Sequence, residues 1–322
     1  MNADGDPLEQ VRIRIAWLYY IGGLTQERIG RALGLTRGRV NRLLAECRER
    51  GIVNFQIRSK LARAVELERA LIKKFGLSHT VVAPSPVHDR DAPNVVGTAA
   101  GQHLPAWLRS GQSLGIGWGK TMHAMSRALA RSSVPRLKVV SMFGGLPRSA
   151  TINPYDIASR VAELLHAECY FLNAPMVGSS DPSTRALRGH HLLQESFRRM
   201  LGVDLALISV GHLGAASTNV EFGIITEKTR RSLIAAGAVG DIFGYYVDAQ
   251  GVAIKHPANR MVVMPPLERL GRIPRLVLVS GGVAKVPILR AALRLGRIDT
   301  LVTDEAAAER LVAPDPLAKP ET

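Results

Sequence analysis

The chain has 322 residues, 46% of them hydrophobic, which exceeds one typical domain and supplies ample apolar surface for a large core. Its net charge of +15 is spread along the whole length, so charge alone does not single out a nucleic-acid ligand. Two cysteines, Cys47 and Cys169, are too few for a disulfide framework or a four-ligand zinc site. There is no basic-then-apolar leader and no apolar run of the roughly eighteen residues a membrane span needs. The expectation is a cytoplasmic protein with no membrane partner, no metal and no cofactor.

In chain order, Leu8 to Ile21 is amphipathic, with Leu8, Val11, Ile15, Leu18 and Tyr19 as the expected inner face of a first helix. The stretch Gly22 to Asn54 then carries a helix start at Thr25, a turn at Leu33-Gly34-Leu35 and a second helix start at Thr36, the spacing of a helix-turn-helix. Thr25 and Thr36 are expected N-caps, Ile29, Ala32 and Leu33 share one face of the first helix of the pair, and Val40, Leu43 and Leu44 form the buried stripe of the second. That stripe turns Arg37, Gly38, Arg39, Asn41 and Arg42 outward. With Thr25, Gln26, Arg28 and Thr36 they make the candidate set for double-stranded operator DNA.

Arg37 and Arg39 fall in the first turn of a helix, where each cation opposes the helix dipole at a cost of about 0.3 kcal/mol or more, so an anion is expected to meet them. From Arg28 to Arg58 eight arginines face two acids, Glu46 and Glu49, a density suited to a polyanion. The competing reading is an ordinary basic surface on a three-helix core. Either Arg39 or Asn41 could reach a base, although phosphate contacts outnumber base contacts in such interfaces. Beyond Gly51, the alternation of Val53, Phe55 and Ile57 predicts a short strand, hence a wing closing near Arg58.

From Leu61 to Phe75 a further amphipathic helix is expected, with Leu61, Ala64, Val65, Leu71, Ile72 and Phe75 inward. Two heptads are short for a coiled coil, so it reads as a joint between domains. Beyond it, near-continuous apolar runs (HTVVAP, SLGIGWG, KVVSMFGG, CYFLNAP, DLALISVG, RLVLVSGG and TLVTD) alternate with helical patterns. That predicts a mainly parallel sheet covered on both faces, whose ligands bind beyond the carboxyl ends of the strands.

Three of those ends carry chemistry. Gly115 to Thr121 leads from a strand into a helix, so its amides and the Thr121 hydroxyl could cradle a phosphate or hydroxyls, or form only a turn. It is not a Walker A loop, because Leu114 stands where the first glycine would be. Asp241, after Gly237 to Gly240, could accept from sugar hydroxyls or serve as a turn residue. Lys285, after Ser280 to Ala284, could meet a phosphate or carboxylate or be solvated surface.

Taken in order, YYIGGLTQERIGRALGLTRGRVNRLL, GQSLGIGWGKT, LNAP from Leu172, GAVGDIFGYYVDAQG from Gly237 and the segment VSGGVAKVPILRAALRLGRIDTLVTDEAAAERLV from Val279 resemble the SorC/DeoR-type sugar-binding transcriptional regulators over nearly the whole chain. The resemblance implies an N-terminal helix-turn-helix domain (residues 1–58), a linker helix (59–78) and an effector and oligomerisation domain (79–322) of the sugar-isomerase-like, CoA-transferase-like α/β fold. It also implies homo-oligomers, dimers or tetramers, on palindromic operators, and a small carbohydrate effector: a sugar phosphate or a related sugar or sugar alcohol. Carried over residue by residue, the effector site draws on Gly117, Gly119, Thr121, Gly144, Gly145, Asp241 and Lys285. Met142 and Phe143 stand where the family often shows a polar residue before the paired glycines.

The alternative is a sugar-phosphate-processing enzyme with an appended DNA-binding domain. Asp241, Lys285, His212 and His256 are its acid and base candidates, but their spacing makes no recognisable catalytic set.

Overall fold

The structure is a computed structural model that describes residues 7–53, 62–146 and 152–314. The chain divides into two compact units, Met1–Lys60 and Leu61–Thr322.

The first unit contains α1 (Pro7–Tyr20), α2 (Gln26–Leu33) and α3 (Arg37–Glu49). Both expected caps form: Thr25 Oγ1 accepts from the amide of Arg28 at 3.3 Å, and Thr36 Oγ1 from that of Arg39 at 3.2 Å. Gly34 ends α2 in the left-handed conformation, φ 68°. Gly30, unremarked in the sequence, is required by packing, since a β-carbon there would stand 2.5 Å from the Leu35 carbonyl oxygen.

Ile15, Ile29, Val40, Leu43 and Leu44 make the small core. The inner face of α1 is the expected one at Ile15, Leu18 and Tyr19 but departs in its first turns, where Leu8 and Val11 are exposed and Arg12 is buried. The reason is ionic. Arg12 reaches Glu46 on α3 at 2.8 Å, while Cys47 Sγ donates to the Arg12 carbonyl at 3.3 Å, so a charged residue occupies a face that apolar periodicity assigns elsewhere. Residues 51–53 form a turn rather than the start of a strand. Phe55, Ile57 and Arg58, and with them the expected wing, lie outside the described residues.

The second unit opens with α4 (Ala62–Phe75), which packs on the first strand and on the last helix of its own unit. It packs Ala64, Leu71, Ile72 and Phe75 on the core as expected, buries Leu67 as well and leaves Val65 exposed. Then follow β1 (His79–Ala83), a 3-10 turn at Asp89–Asp91, α5 (Ala92–Trp107), β2 (Ser113–Ile116), α6 (Lys120–Ala128), β3 (Lys138–Gly145), α7 (Pro154–Leu165), β4 (Glu168–Pro175), α8 (Asp181–Gly189), α9 (His191–Leu201) and β5 (Leu205–Ile208). The chain continues through β6 (Val210–His212), α10 (Thr218–Glu221), α11 (Glu227–Ala235), β7 (Gly240–Ile242), β8 (Tyr245–Val247), α12 (Pro257–Arg260), α13 (Leu267–Leu270) and β9 (Arg275–Val279). A 3-10 turn at Val283–Lys285, α14 (Val286–Arg294), β10 (Thr300–Asp304) and α15 (Glu305–Val312) complete it.

The seven expected runs become one sheet, ordered β1-β10-β9-β5-β2-β3-β4, with every pairing parallel. Both faces are covered, which is why the strands read as continuous apolar runs. Val140, Met142, Ala206, Ile208, Leu276 and Leu278 face one core, and Val139, Leu205, Leu207, Val277 and Val279 face the other, a period of two within each strand. A smaller antiparallel sheet, β6-β7-β8, was not legible beforehand, because strands of three residues are too short to show alternation.

The sheet order also says where a crevice must open. β2 and β5 are neighbours, yet the chain leaves β2 toward β3 and leaves β5 toward β9, in opposite directions across the sheet. Connections that diverge in this way leave a gap at the carboxyl ends of the two strands.

Candidate functional sites

On α3, Arg37, Gly38, Arg39, Asn41 and Arg42 are all exposed, as are Thr25, Arg28 and Thr36, and Gln26 is half-buried. No acidic residue occupies the first turn of α3. Among the described residues Arg28, Arg37, Arg39 and Arg42 have no carboxylate partner, whereas Arg31 pairs with Glu27 at 3.4 Å and Arg12 with Glu46. Arg14, Arg48 and Arg50 likewise have no carboxylate partner among the described residues, so the first unit as a whole carries an excess of unpaired cations. Gly38 adds a second observation: a β-carbon there would meet nothing within 4 Å, so packing does not require glycine, although glycine inside a helix costs about 0.5–1 kcal/mol relative to alanine.

In the second unit a cavity of about 240 Å³ opens at the gap beyond β2 and β5. It is lined by Trp118 to Thr121 after β2, Ser209 to His212 after β5, Asn219 from α10, Asp241 from β7, Gly281, Ala284 and Lys285 after β9, and Asp89 and Arg90 from the 3-10 turn. Of the sequence-predicted residues, Gly119, Thr121, Asp241 and Lys285 meet here. Gly117, Gly144 and Gly145 do not line the cavity. The Gly117 amide donates to the Leu207 carbonyl at 2.8 Å, continuing the sheet pairing. A β-carbon on Gly144 would fall 1.9 Å from the Ala174 carbonyl oxygen, and one on Gly145 would fall 2.6 Å from the Tyr155 ring, so both glycines serve packing between β3, β4 and α7. Met142 is buried, and Phe143 stacks on Phe243 at 6.4 Å and meets the cavity-lining Trp118 edge-on at 6.3 Å.

The cavity's carboxylates are already connected to the protein. Buried Asp241 accepts from Asn219 Nδ2 at 2.7 Å and from the Gly244 amide at 3.2 Å, and Asn219 also donates to Tyr246 Oη at 3.3 Å. Gly211, opposite Asp241 in the β6-β7 pairing, leaves room for that carboxylate: a β-carbon there would stand 2.1 Å from Oδ1. Burial raises the Asp241 pKa against the opposing help of Asn219, Gly244 and Lys285. Lys285 keeps part of its surface open while protein surrounds the rest. Burial brings its pKa down to about 8, with Lys120 adding to the effect and Asp241 and Asp89 opposing it.

His212 is lowered by burial and then by Lys285 and Lys120; its Nδ1 accepts from the Gly214 amide at 3.0 Å, which leaves Nε2 as the donor of the neutral ring. Lys120 Nζ pairs with Glu221 at 2.7 Å. Gly119, φ 100°, precedes α6 without a side-chain cap, so amides of its first turn are open at the cavity edge. By contrast Asp89 caps the amides of Val283 (2.5 Å) and Ala284 (3.2 Å), and Asp304 takes that of Gly282 at 2.6 Å.

Asp89, Arg90, Lys120 and Asn219 were not singled out in the sequence; only the Lys120 neighbourhood carried a signal, inside GxGWGKT. His256, the other histidine of the enzyme reading, does not line this cavity; its Nδ1 accepts from the Ala258 amide and its Nε2 lies 3.0 Å from Ser232 Oγ.

A helix-turn-helix with unpartnered outward arginines, joined in one chain to an α/β unit with a polar cavity at its topological switch point, defines a DNA-binding regulator that carries a small-molecule domain. The family model described as "Putative sugar-binding domain" matches residues 59–313, and the Sigma-70, region 4 model matches residues 15–50. The chain is 31% identical over 314 residues to the transcriptional regulator LsrR of Klebsiella pneumoniae, covering 95% of this chain and 93% of that protein. It is 27% identical over 312 residues to the erythritol catabolism regulatory protein EryD of Brucella abortus, covering 96% and 98%. The full-length sorbitol operon regulator SorC of Klebsiella pneumoniae shares the fold, with a TM-score of 0.71 at 24% identity over 96% of this chain and all of that one. The chain belongs to the SorC-type sugar-binding transcriptional regulators. It is a DNA-binding regulator of sugar catabolism with a sugar-binding second unit.

Proposed function

We propose that the effector is a phosphorylated carbohydrate or a close relative, that it binds in the cavity beyond β2 and β5, and that the outward residues of α2 and α3 grip the operator. The observation that carries this reading is the composition of the cavity. Lys285, Lys120, His212 and the open first-turn amides of α6 suit an anion, while the Asp241–Asn219 pair suits vicinal hydroxyls. The chain works as a cytoplasmic homo-oligomer, a dimer or tetramer, because one recognition helix covers only half of a palindromic site.

Effector binding shifts the population of oligomer geometries, and hence the separation of the recognition helices, only so far as its affinity for the two geometries differs. Catalysis is not part of this reading, because the named relatives are regulators. An unphosphorylated sugar alcohol is the second reading, favoured by the buried Asp241 carboxylate and by the cavity-lining Trp118.

The test is thermal unfolding of the full chain against sugar phosphates, free sugars and sugar alcohols, since a ligand of the folded state raises the midpoint by mass action. The expected result is a shift with one phosphorylated compound that Lys285→Ala and Thr121→Ala abolish. A shift with polyols alone establishes the second reading, and a shift that survives both substitutions removes these residues from the site.

A further inference from the structure

Gln26 is the first residue of α2, and Asn41 lies on the exposed side of α3. Gln26 Nε2 donates to Asn41 Oδ1 at 3.3 Å, a bond from side chain to side chain across the two helices of the motif. Folding does not call for it. Neither residue belongs to the core of the unit, and α2 and α3 are already capped by Thr25 and Thr36. Its consequence is chemical instead.

A primary amide has a donor end and an acceptor end, and a half-turn exchanges them. With Gln26 Nε2 directed at Asn41 Oδ1, the turned-over Asn41 would set two amino groups against each other. In this arrangement Asn41 shows the Nδ2 donor to the outside, beside the second lone pair of Oδ1, and it turns over only together with Gln26. In the major groove that order matches adenine, whose N7 accepts and whose N6 amino group donates. Guanine presents two acceptors, N7 and O6, and would leave Asn41 Oδ1 facing an oxygen.

The neighbouring residues sharpen the assignment. Arg28, Arg37, Arg39 and Arg42 carry donors only, and the Thr25 and Thr36 hydroxyl oxygens already accept from backbone amides. Within the candidate DNA-facing set, the amide oxygens of Gln26 and Asn41 are the side-chain acceptors left for a base amino group. Water competes for an exposed bond of this kind in the free protein, but a closed interface excludes that competitor and strengthens the bias.

We propose that Gln26 is a positioning residue that sets the amide polarity of Asn41, and that the pair reads one adenine of the operator in the major groove. This rests on the reading that the outward face of α3 meets DNA.

The test starts from a random-sequence duplex pool enriched on the full-length protein. Affinities for the recovered motif and its single-base variants are then measured for the parent chain, Asn41→Ala, Gln26→Ala and Gln26→Glu, with melting midpoints confirming that each is folded. For the parent, changing one adenine is expected to cost about tenfold or more, as a bidentate base contact does. Asn41→Ala should erase the preference at that position. Gln26→Ala should reduce it there to within about threefold while discrimination elsewhere stays intact. Gln26→Glu, which can only accept, should turn the Asn41 amide over and erase the preference as well.

The proposal is overturned if Gln26→Ala weakens all sequences equally, which would make Gln26 a phosphate contact. It is also overturned if the two alanine variants relax different positions, or if no adenine is selected at the position that Asn41→Ala relaxes. Failure of the parent to enrich any motif would sink the DNA reading along with it. A motif that keeps its adenine in both alanine variants would sink the pair alone.

Discussion

The recognition face of the first unit and the cavity of the second treat their polar groups in opposite ways. On α2 and α3 Arg28, Arg37, Arg39 and Arg42 have no carboxylate partner among the described residues, and Gly38 is left without a packing reason. In the cavity the carboxylates are already engaged, Asp241 by Asn219 and Gly244 and Asp89 by two amides, and Lys120 pairs with Glu221, so that Lys285 and Arg90 are the lining cations without an ion pair among the described residues. On the proposed reading, affinity at the first surface would come from counterion release and from bonds that form only on docking. In the second, a ligand at the proposed site would have to compete with the internal partners of Asp241 and Lys120. A surface of the first kind senses charge and shape, whereas one of the second kind couples occupancy to conformation.

The largest effect that would sharpen this contrast is expected from Asp241→Ala. Removing the carboxylate strands the Asn219 amide and the Gly244 N–H in a buried place, so the second unit should lose about 1–3 kcal/mol together with its effector response, as read by thermal unfolding with and without ligand. An unchanged midpoint would show that the network does not hold the cavity together. Arg39→Ala is the counterpart on the open surface. It should weaken operator binding by about 1–3 kcal/mol if Arg39 pairs with a guanine, and move stability by no more than about 0.5 kcal/mol. Equal weakening on every sequence would make it a phosphate contact.

A third effect is pH-dependent. The Lys285 pKa lies near 8 because burial disfavours its cation, so a phosphorylated effector should bind progressively more weakly as pH rises through about 8 and the charge is lost. The stability sign is opposite. A lysine whose folded pKa is below its unfolded value binds fewer protons when folded, so its contribution to stability rises between about 8 and the ordinary lysine range. Calorimetric titrations at pH 7 and pH 9 check the first part, and a flat affinity would place the anion away from Lys285. The smallest effect is Gly38→Ala, which should stabilise α3 by about 0.5–1 kcal/mol while lowering operator affinity. A gain in both would remove the case for close approach at that position.

The same contrast explains what could be read in the sequence. The recognition helix was legible because its logic is local: caps at Thr25 and Thr36, a left-handed Gly34, and arginines set at the wrong end of a helix dipole. The parallel sheet was legible because strands buried on both faces cannot hide their apolar runs. The cavity was legible only where it draws on strand ends that lead into glycine-rich turns, as at Gly119 and Lys285.

Asn219 and Asp89 enter from a short helix and a 3-10 turn, and only the folded topology brings them to Asp241 and Lys285. Gly144 and Gly145 were misread for a related reason. A glycine after a strand marks close approach, but the sequence does not say whether a ligand or another part of the chain makes it, and here Ala174 and Tyr155 do. The first turns of α1 were misread because Arg12 is buried by an ion pair with a residue thirty-four positions away.

The central claim is that occupancy of the cavity governs the grip on DNA. The most direct test measures the affinity of the full chain for its enriched duplex, with and without a saturating amount of the compound that raises its melting midpoint, in the parent and in Lys285→Ala. The account predicts a change of at least about fivefold in the parent, the lower end of ordinary allosteric coupling, and none in the variant. An operator affinity that stays the same when the effector is demonstrably bound would contradict it.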